Sequence, residues 1–232
     1  MEIEQLKRIA AEKAVEFIES GMVVGLGHGS TAVLAVRRLG ALLSDGVLED
    51  IVGVPCSLEI EAEAQALGIP LTTLDQHPII DVTIDGADEV DPRLDLIKGG
   101  GGALLREKIV AQATRRQIIA VDEPKLSPAL GTHFALPVEV VPFAIGTELL
   151  CLKSLGAGAE VRRNKNGSPF VTDAGNLIVD CRFGPIDDPQ GLSARLDARA
   201  GIMGHGLFLG LATDVLVGTT EGVRHLTRES LT

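Results

Sequence analysis

Between residues 3 and 19 the apolar positions Ile3, Leu6, Ile9, Ala10, Ala14, Phe17 and Ile18 recur three and four apart. That is the spacing of one helix face, and Gly21 closes the predicted helix. The pattern then shortens. MVVGLG (22–27) is a continuous apolar run that breaks into glycine, which predicts a buried strand, and GHGSTAVLAVRRLGALL continues as loop and then helix, with Val33, Val36 and Leu39 three apart. IVGVP (51–55) predicts a second strand, and LEIEAEAQALG, led by Ser57, a helix stopped by Gly68. PLTTL (70–74) and IIDVTID (79–85) read as strands, GALLREKIVAQAT (102–114) as a helix and QIIAVDE (117–123) as a strand. Alternation of this kind predicts an α/β fold, a Rossmann-like, mostly parallel sheet with helices on its faces. Ligands in such sheets sit beyond the carboxyl ends of the strands.

After about residue 130 the texture changes. PVEVVPFAIGTELLCLKSLG gives a strand and a helix, and AEVRRN, PFVTD and NLIVDC read as short strands split by the turn signals NKNG and DAGN. A helix over 188–199 follows, then GLFLGLATDVLVGTT as strands. The expected organisation is a Rossmann-like catalytic domain from 1–132 together with 206–232, and a small α+β lid domain over 133–205. The lid is also expected to carry oligomer contacts.

Composition narrows the partners. The chain has 232 residues, 45% apolar and 23% charged, with a net charge of −11. An acidic chain is poorly suited to nucleic acid or an anionic membrane surface, both polyanions. Six Phe with no Trp or Tyr offer little for base stacking. Neither feature excludes a small phosphorylated ligand, because a local nest of N–H groups outweighs the global field. The three cysteines, Cys56, Cys151 and Cys181, are far apart and form no CxxC, and no multi-histidine or HExxH arrangement occurs. Neither a disulfide framework nor a thiolate zinc or multi-histidine metal site is suggested. The amphipathic opening MEIEQLKRIAAEKAVEF lacks a signal-peptide core, and no long apolar run follows, so the expected location is the cytoplasm.

Four stretches carry candidate chemistry. GLGHGSTA (25–32) is a glycine turn between a strand and a helix, with His28, Gly29, Ser30 and Thr31 at its tip. Backbone N–H groups and a helix N-terminus there suit an anion. A dinucleotide fingerprint would also want an acid at the end of the next strand, and Val54, Pro55 and Cys56 supply none. DGADEVD (85–91) places Asp85, Gly86, Ala87 and Asp88 at a strand end. Its carboxylates suit sugar hydroxyls, proton transfer or Mg²⁺, and equally a solvated acidic loop. In IKGGGGALLREK (97–108), Gly99, Gly100 and Gly101 form a possible nest beside the cation Lys98. Glu107 falls one turn into the helix, about 60° around from Leu104. Helical pattern alone favours a surface glutamate between Arg106 and Lys108 over a half-buried base. VDEPK (121–125) ends a strand with Lys125, by itself an ordinary surface charge.

Taken in order, GLGHGSTA, DGADEVD, KGGGGALLREK and DEPK resemble the motifs of the type A ribose-5-phosphate isomerase family, and PVEVVPFA (137–144) and GLF…ATDVLVGTTEGV (206–223) look like further family segments. The resemblance spans roughly residues 3–225. His28 stands where the family usually has Thr, and Pro124 where it has a small polar residue. The resemblance implies a Rossmann-like domain with a ferredoxin-like α+β lid. It implies an aldose-ketose isomerase that interconverts D-ribose 5-phosphate and D-ribulose 5-phosphate through a cis-enediolate, without metal or nicotinamide, in the non-oxidative pentose phosphate pathway. By the same resemblance Glu107 is the general base, Lys98 the oxyanion partner, and Asp85 and Asp88 assist at the hydroxyls. His28, Gly29, Ser30, Thr31, Gly86, Ala87, Gly99, Gly100, Gly101 and Lys125 bind substrate. A homodimer is expected. Alternative readings are a sugar-phosphate sensor, which would need a DNA-binding module that the sequence does not show, and a coenzyme A transferase-like enzyme using a glutamate nucleophile.

Overall fold

The computed structural model describes residues 2–228. In chain order the elements are α1 (Ile3–Val15), β1 (Val23–Leu26), α2 (Ala32–Ser44), β2 (Val52–Pro55), α3 (Leu58–Ala66), β3 (Ile80–Asp85), β4 (Glu89–Val90), β5 (Leu96–Ile97), α4 (Leu104–Gln112) and β6 (Thr114–Asp122). They continue as β7 (Leu136–Val140), α5 (Ile145–Ser154), β8 (Gly158–Val161), β9 (Leu177–Arg182), α6 (Pro189–Asp197), β10 (Ile202–His205), β11 (Leu207–Phe208), β12 (Asp214–Thr219) and β13 (Gly222–Thr227). No helix among the described residues is long and apolar enough to cross a membrane. The chain divides into two compact units.

The first unit comprises residues up to 87, 106–126 and from 210 on. Its six-stranded sheet has the order β13-β12-β6-β3-β1-β2, parallel throughout except for the hairpin of β12 with β13. The middle strand β6 runs Ile118, Ile119, Ala120, Val121, all fully buried, the continuous apolar run of a strand covered on both faces. One face packs Val24, Leu26, Val82, Ile84, Ile118 and Ala120 against α1, α2 and α3. On the other, Val110 of α4 meets Val54, Cys56 and Ile80. α1 buries the small residues Ala10, Ala11 and Ala14, so it lies close to the sheet. A Cβ at Gly218 of β12 would stand 2.0 Å from the Leu6 carbonyl oxygen, so only glycine fits there.

The second unit comprises residues 88–105 and 127–209. Its larger sheet is antiparallel with order β10-β7-β9-β8. Together with α5 and α6 it gives the β-α-β-β-α-β succession of a ferredoxin-like fold. Leu136, Val138, Val140, Val179 and Cys181 from its strands enclose a core with Leu152, Leu192 and Leu196 from the two helices. A three-stranded sheet, β11-β5-β4, brings residues 88–105 into this unit, and Ile97 of β5 joins the same core.

Several expected elements are shorter than the pattern suggests. The first helix stops at Val15, and Phe17 and Ile18 continue only as i→i−3 turns. The expected strand at 70–74 reduces to one bridge, Gly53 with Leu71. Pro70 has no N–H to offer a ladder, and Thr72 and Thr73 are taken up by a turn to Gln76 and His77. PFVTD is likewise held by two isolated bridges, at Pro169 and Val171. The pairs β4–β5 and β5–β11 are two residues long, below the length at which periodicity registers.

Candidate functional site

In the first unit the parallel strands β1, β3 and β6 end on one edge of the sheet. The loops after them are 27–31, 85–87 and 123–125. Asp85, the last residue of β3, is 1% exposed. Its Oδ1 accepts the N–H groups of His28 at 3.0 Å and Gly86 at 2.8 Å. One carboxylate therefore shapes two loops, and the approach is close: a Cβ on Gly27 would lie 2.4 Å from that same oxygen. Gly29 has φ +109, a region open to glycine. It turns the chain into α2, whose N-cap is the buried Thr31. A loop with this shape, opening a helix of 13 residues, offers N–H groups and the positive end of the helix dipole to an anion.

His28 is a residue whose pattern gave no direction to its ring. Its Nδ1 lies 3.0 Å from Ser57 Oγ, and the side chain is 10% exposed. Ser57 is the N-cap of α3 and accepts the Ile60 N–H at 3.1 Å. The ring thus ties the anion loop to the start of a neighbouring helix instead of pointing to solvent. Lys7 was not singled out by any motif. Its Nζ donates to Ser30 Oγ at 3.1 Å, which sets a cation from α1 beside the loop. The only sequence signal for it is its place on the polar side of the first helix.

Glu107 lies in the first turn of α4, which leads into β6. It is 3% exposed, so the surface reading that helical pattern favoured does not hold. Glutamate in a first helical turn is favoured by the helix dipole. Lys125 ends the short 3-10 turn Glu123–Lys125, with Pro124 inside it, directly after β6. The first unit therefore collects loop 28–31, Asp85, Gly86, Ala87, Glu107 and Lys125 from three strand ends and one helix start.

The second unit holds the remaining candidates. Asp88 donates its N–H to the Ile97 carbonyl at 2.8 Å, and Lys98 donates its N–H to the Gly206 carbonyl at 2.9 Å. Lys98 is 2% exposed, and its ammonium sits 5.6 Å from the Phe208 ring centroid, a cation–π distance. In the glycine run, Gly99 has φ +101. Gly100 donates its N–H to Asp88 Oδ2 at 2.7 Å, and a Cβ there would stand 2.6 Å from Asp88 Oδ1. Asp88, Lys98 and the run 99–101 are thus one compact group. A second residue absent from the motifs, Arg162, also touches it: its Nη1 donates to the carbonyls of Gly99 and Gly100. Among the described residues no group of three or more His, Cys, Asp or Glu side chains is arranged to hold a metal ion.

A profile of the family described as Ribose 5-phosphate isomerase A (phosphoriboisomerase A) matches residues 52–222. The curated "Ribose-5-phosphate isomerase A" of Desulfatibacillum aliphaticivorans is 58% identical over 221 residues, covering 95% of this chain and 96% of the relative. A solved D-ribose-5-phosphate isomerase in complex with phospho-erythronic acid superposes with a TM-score of 0.96 at 44% identity, covering 98% of this chain and 100% of that one. The ribose 5-phosphate isomerase A of Methanocaldococcus jannaschii gives 0.93 at 40% identity, with 97% and 100% covered.

Proposed function

Since the chain belongs to the ribose 5-phosphate isomerase A family, and so interconverts D-ribose 5-phosphate and D-ribulose 5-phosphate, we propose how its residues divide that work. Aldose-to-ketose isomerisation moves a proton from C2 to C1 and another from O2 to O1, through a cis-enediolate. Glu107 takes the C2 proton and returns it at C1. Its 3% exposure in the first turn of α4 is the observation that supports this best, because a base shut off from bulk water keeps its proton for the substrate. Lys98 faces the developing oxyanion, where a fixed cation in a low-dielectric setting acts most strongly. Asp85 and Asp88 handle ring opening and the hydroxyl protons. Loop 28–31, Gly86, Ala87, the run 99–101 and Lys125 bind the sugar phosphate, with Lys7 added to the anion loop on the strength of its bond to Ser30. No metal or cofactor takes part in this scheme.

Phospho-erythronic acid, bound by the solved relative, has a planar carboxylate anion resembling an enediolate, and is expected to compete with substrate here. The catalytic domain is proposed as 1–132 with 206–232, which counts residues 88–105, 127–132 and 206–209 of the second compact unit with it, and the lid as 133–205, in the cytoplasm and on the non-oxidative pentose phosphate route. The lid's Phe143 and Leu150 are 100% and 72% exposed, which favours a homodimer formed through that surface. Sedimentation of Leu150→Glu against wild type checks this. An unchanged mass would remove α5 from the interface.

The test of the catalytic reading is conversion of ribose 5-phosphate to ribulose 5-phosphate in EDTA without nicotinamide, comparing wild type with Glu107→Gln. One general base is worth about 10²–10⁴-fold, so kcat is expected to fall at least that far in a variant that still folds. Near-normal kcat in Glu107→Gln would remove Glu107 from the role. An inactive, folded wild type would overturn the whole scheme.

A further inference from the structure

Arg162 follows β8 in the second unit and is 15% exposed. Its guanidinium makes two sets of bonds at once. Nε and Nη2 grip Asp180 on β9 at 3.0 and 2.5 Å, a bidentate pair that fixes the plane of the fork. Nη1 donates to the carbonyl oxygens of Gly99 at 2.9 Å and Gly100 at 3.0 Å. Phe170, 5.8 Å from the guanidinium carbon, covers one side.

The consequence follows from the planarity of the trans peptide. In each unit the C=O and the next N–H point in opposite directions. With the Gly99 carbonyl turned to Arg162, the Gly100 N–H points away from it, and it meets Asp88 Oδ2 at 2.7 Å. With the Gly100 carbonyl turned the same way, the Gly101 N–H is likewise aimed away from Arg162. Glycine has no side chain to limit its backbone, so a run of four glycines left alone would sample many such orientations. From within, the turn bond from Gly102 N–H to Gly99 C=O, 3.0 Å, restrains it.

We infer that Arg162, held by Asp180, is a positioning residue that sets the peptide planes of 99–101 and, through Gly100, the carboxylate of Asp88. It acts through those groups and touches no reacting atom. The inference rests on the proposed substrate role of Asp88 and the glycine run. Lysine cannot replace it fully, since an ammonium lacks the rigid fork that serves Asp180 and two carbonyls together.

The experiment compares Arg162→Ala, Arg162→Lys and Asp180→Asn with wild type for kcat, KM, thermal midpoint and circular dichroism, in the ribose 5-phosphate assay. A misplacement of about 1 Å in a catalytic constellation costs on the order of 10²-fold. In Arg162→Ala, kcat and kcat/KM are expected to fall together by about that factor while the protein stays folded. Arg162→Lys and Asp180→Asn should fall between it and wild type. Guanidinium ion at a sub-denaturing concentration should restore part of the Arg162→Ala rate, which a purely structural role would not permit. Wild-type kcat in a folded Arg162→Ala overturns the inference. So does an activity loss in all three variants that merely tracks loss of folded protein, or the absence of any guanidinium rescue. Active wild type in the same assay separates these results from a failure of the catalytic scheme itself.

Discussion

Asp214 opens β12 at the end of the first unit's sheet remote from the catalytic loops, and is 4% exposed. Four donors converge on it: Arg116 Nε and Nη2 at 3.0 and 2.8 Å, Thr213 Oγ1 at 2.7 Å and His225 Nε2 at 2.7 Å. Burial alone would raise its pKa, but the hydrogen bonds from Arg116, Thr213 and His225 outweigh it and hold the carboxyl at about 2, down from 3.8. At about 1.4 kcal/mol per pH unit this corresponds to about 2–3 kcal/mol of native-state preference for the anion. Arg116 is 42% exposed, so water screens part of it, and about 1–2 kcal/mol is the working figure. Asp214→Asn should therefore lower the thermal midpoint at pH 7 by about 2–8 °C in a chain of this size. A depressed carboxyl stabilises the fold above its unfolded pKa and ceases to as pH falls through the folded one. The contribution is full above about pH 5, roughly half gone at pH 3 and absent only near pH 1. Urea unfolding of wild type and Asp214→Asn at pH 7, 4 and 3 reads this directly. The gap should narrow as pH falls. A gap that stays constant, or a variant as stable as wild type, would refute the reasoning.

Two further outcomes follow from close geometry. Gly218→Ala must displace α1 or β12, because the new Cβ meets the Leu6 backbone; overpacking of this kind costs about 1–3 kcal/mol, and an unchanged melting temperature would show that the contact yields freely. Ser57→Ala removes the cap of α3 and the anchor of the His28 ring. It should lower the melting temperature by about 2–4 °C and raise KM for ribose 5-phosphate, while His28→Ala raises KM alone. A destabilised Ser57→Ala with wild-type KM would mean that the ring does not hold the loop.

The strands of the parallel sheet were legible because burial on both faces leaves unbroken apolar runs such as that of β6. The glycine loops were legible because positive φ and close backbone approach admit little else, as at Gly27 and Gly29. Glu107 was legible only through the motif around it. Its neighbours Arg106 and Lys108 make the local pattern look like surface, and α4 is too short for the pattern to decide. Lys7, Ser57 and Arg162 escaped the motif reading for a different reason. Each acts on a loop distant in sequence, 23 residues away for Lys7 with Ser30 and 63 for Arg162 with Gly99, and nothing local marks such a partner. The strand expected at 70–74 failed because β-branched and apolar residues look alike whether they enter a ladder or a turn.

The order of strands in the first sheet also constrains how the protein is made. β6 is nine residues long, and its two neighbours are β3, which precedes it, and β12, which begins almost a hundred residues later at Asp214. A ribosome adding roughly 5–20 residues per second takes about 5–20 seconds to cover that interval. Throughout it, one side of a strand whose run Ile118–Val121 is fully buried in the finished sheet has no partner. Any chain that ends before residue 214 keeps that side open for good, as a template for a foreign strand. Premature termination is thus expected to yield aggregates, not a smaller folded protein, even though every loop of the anion site has already been synthesised.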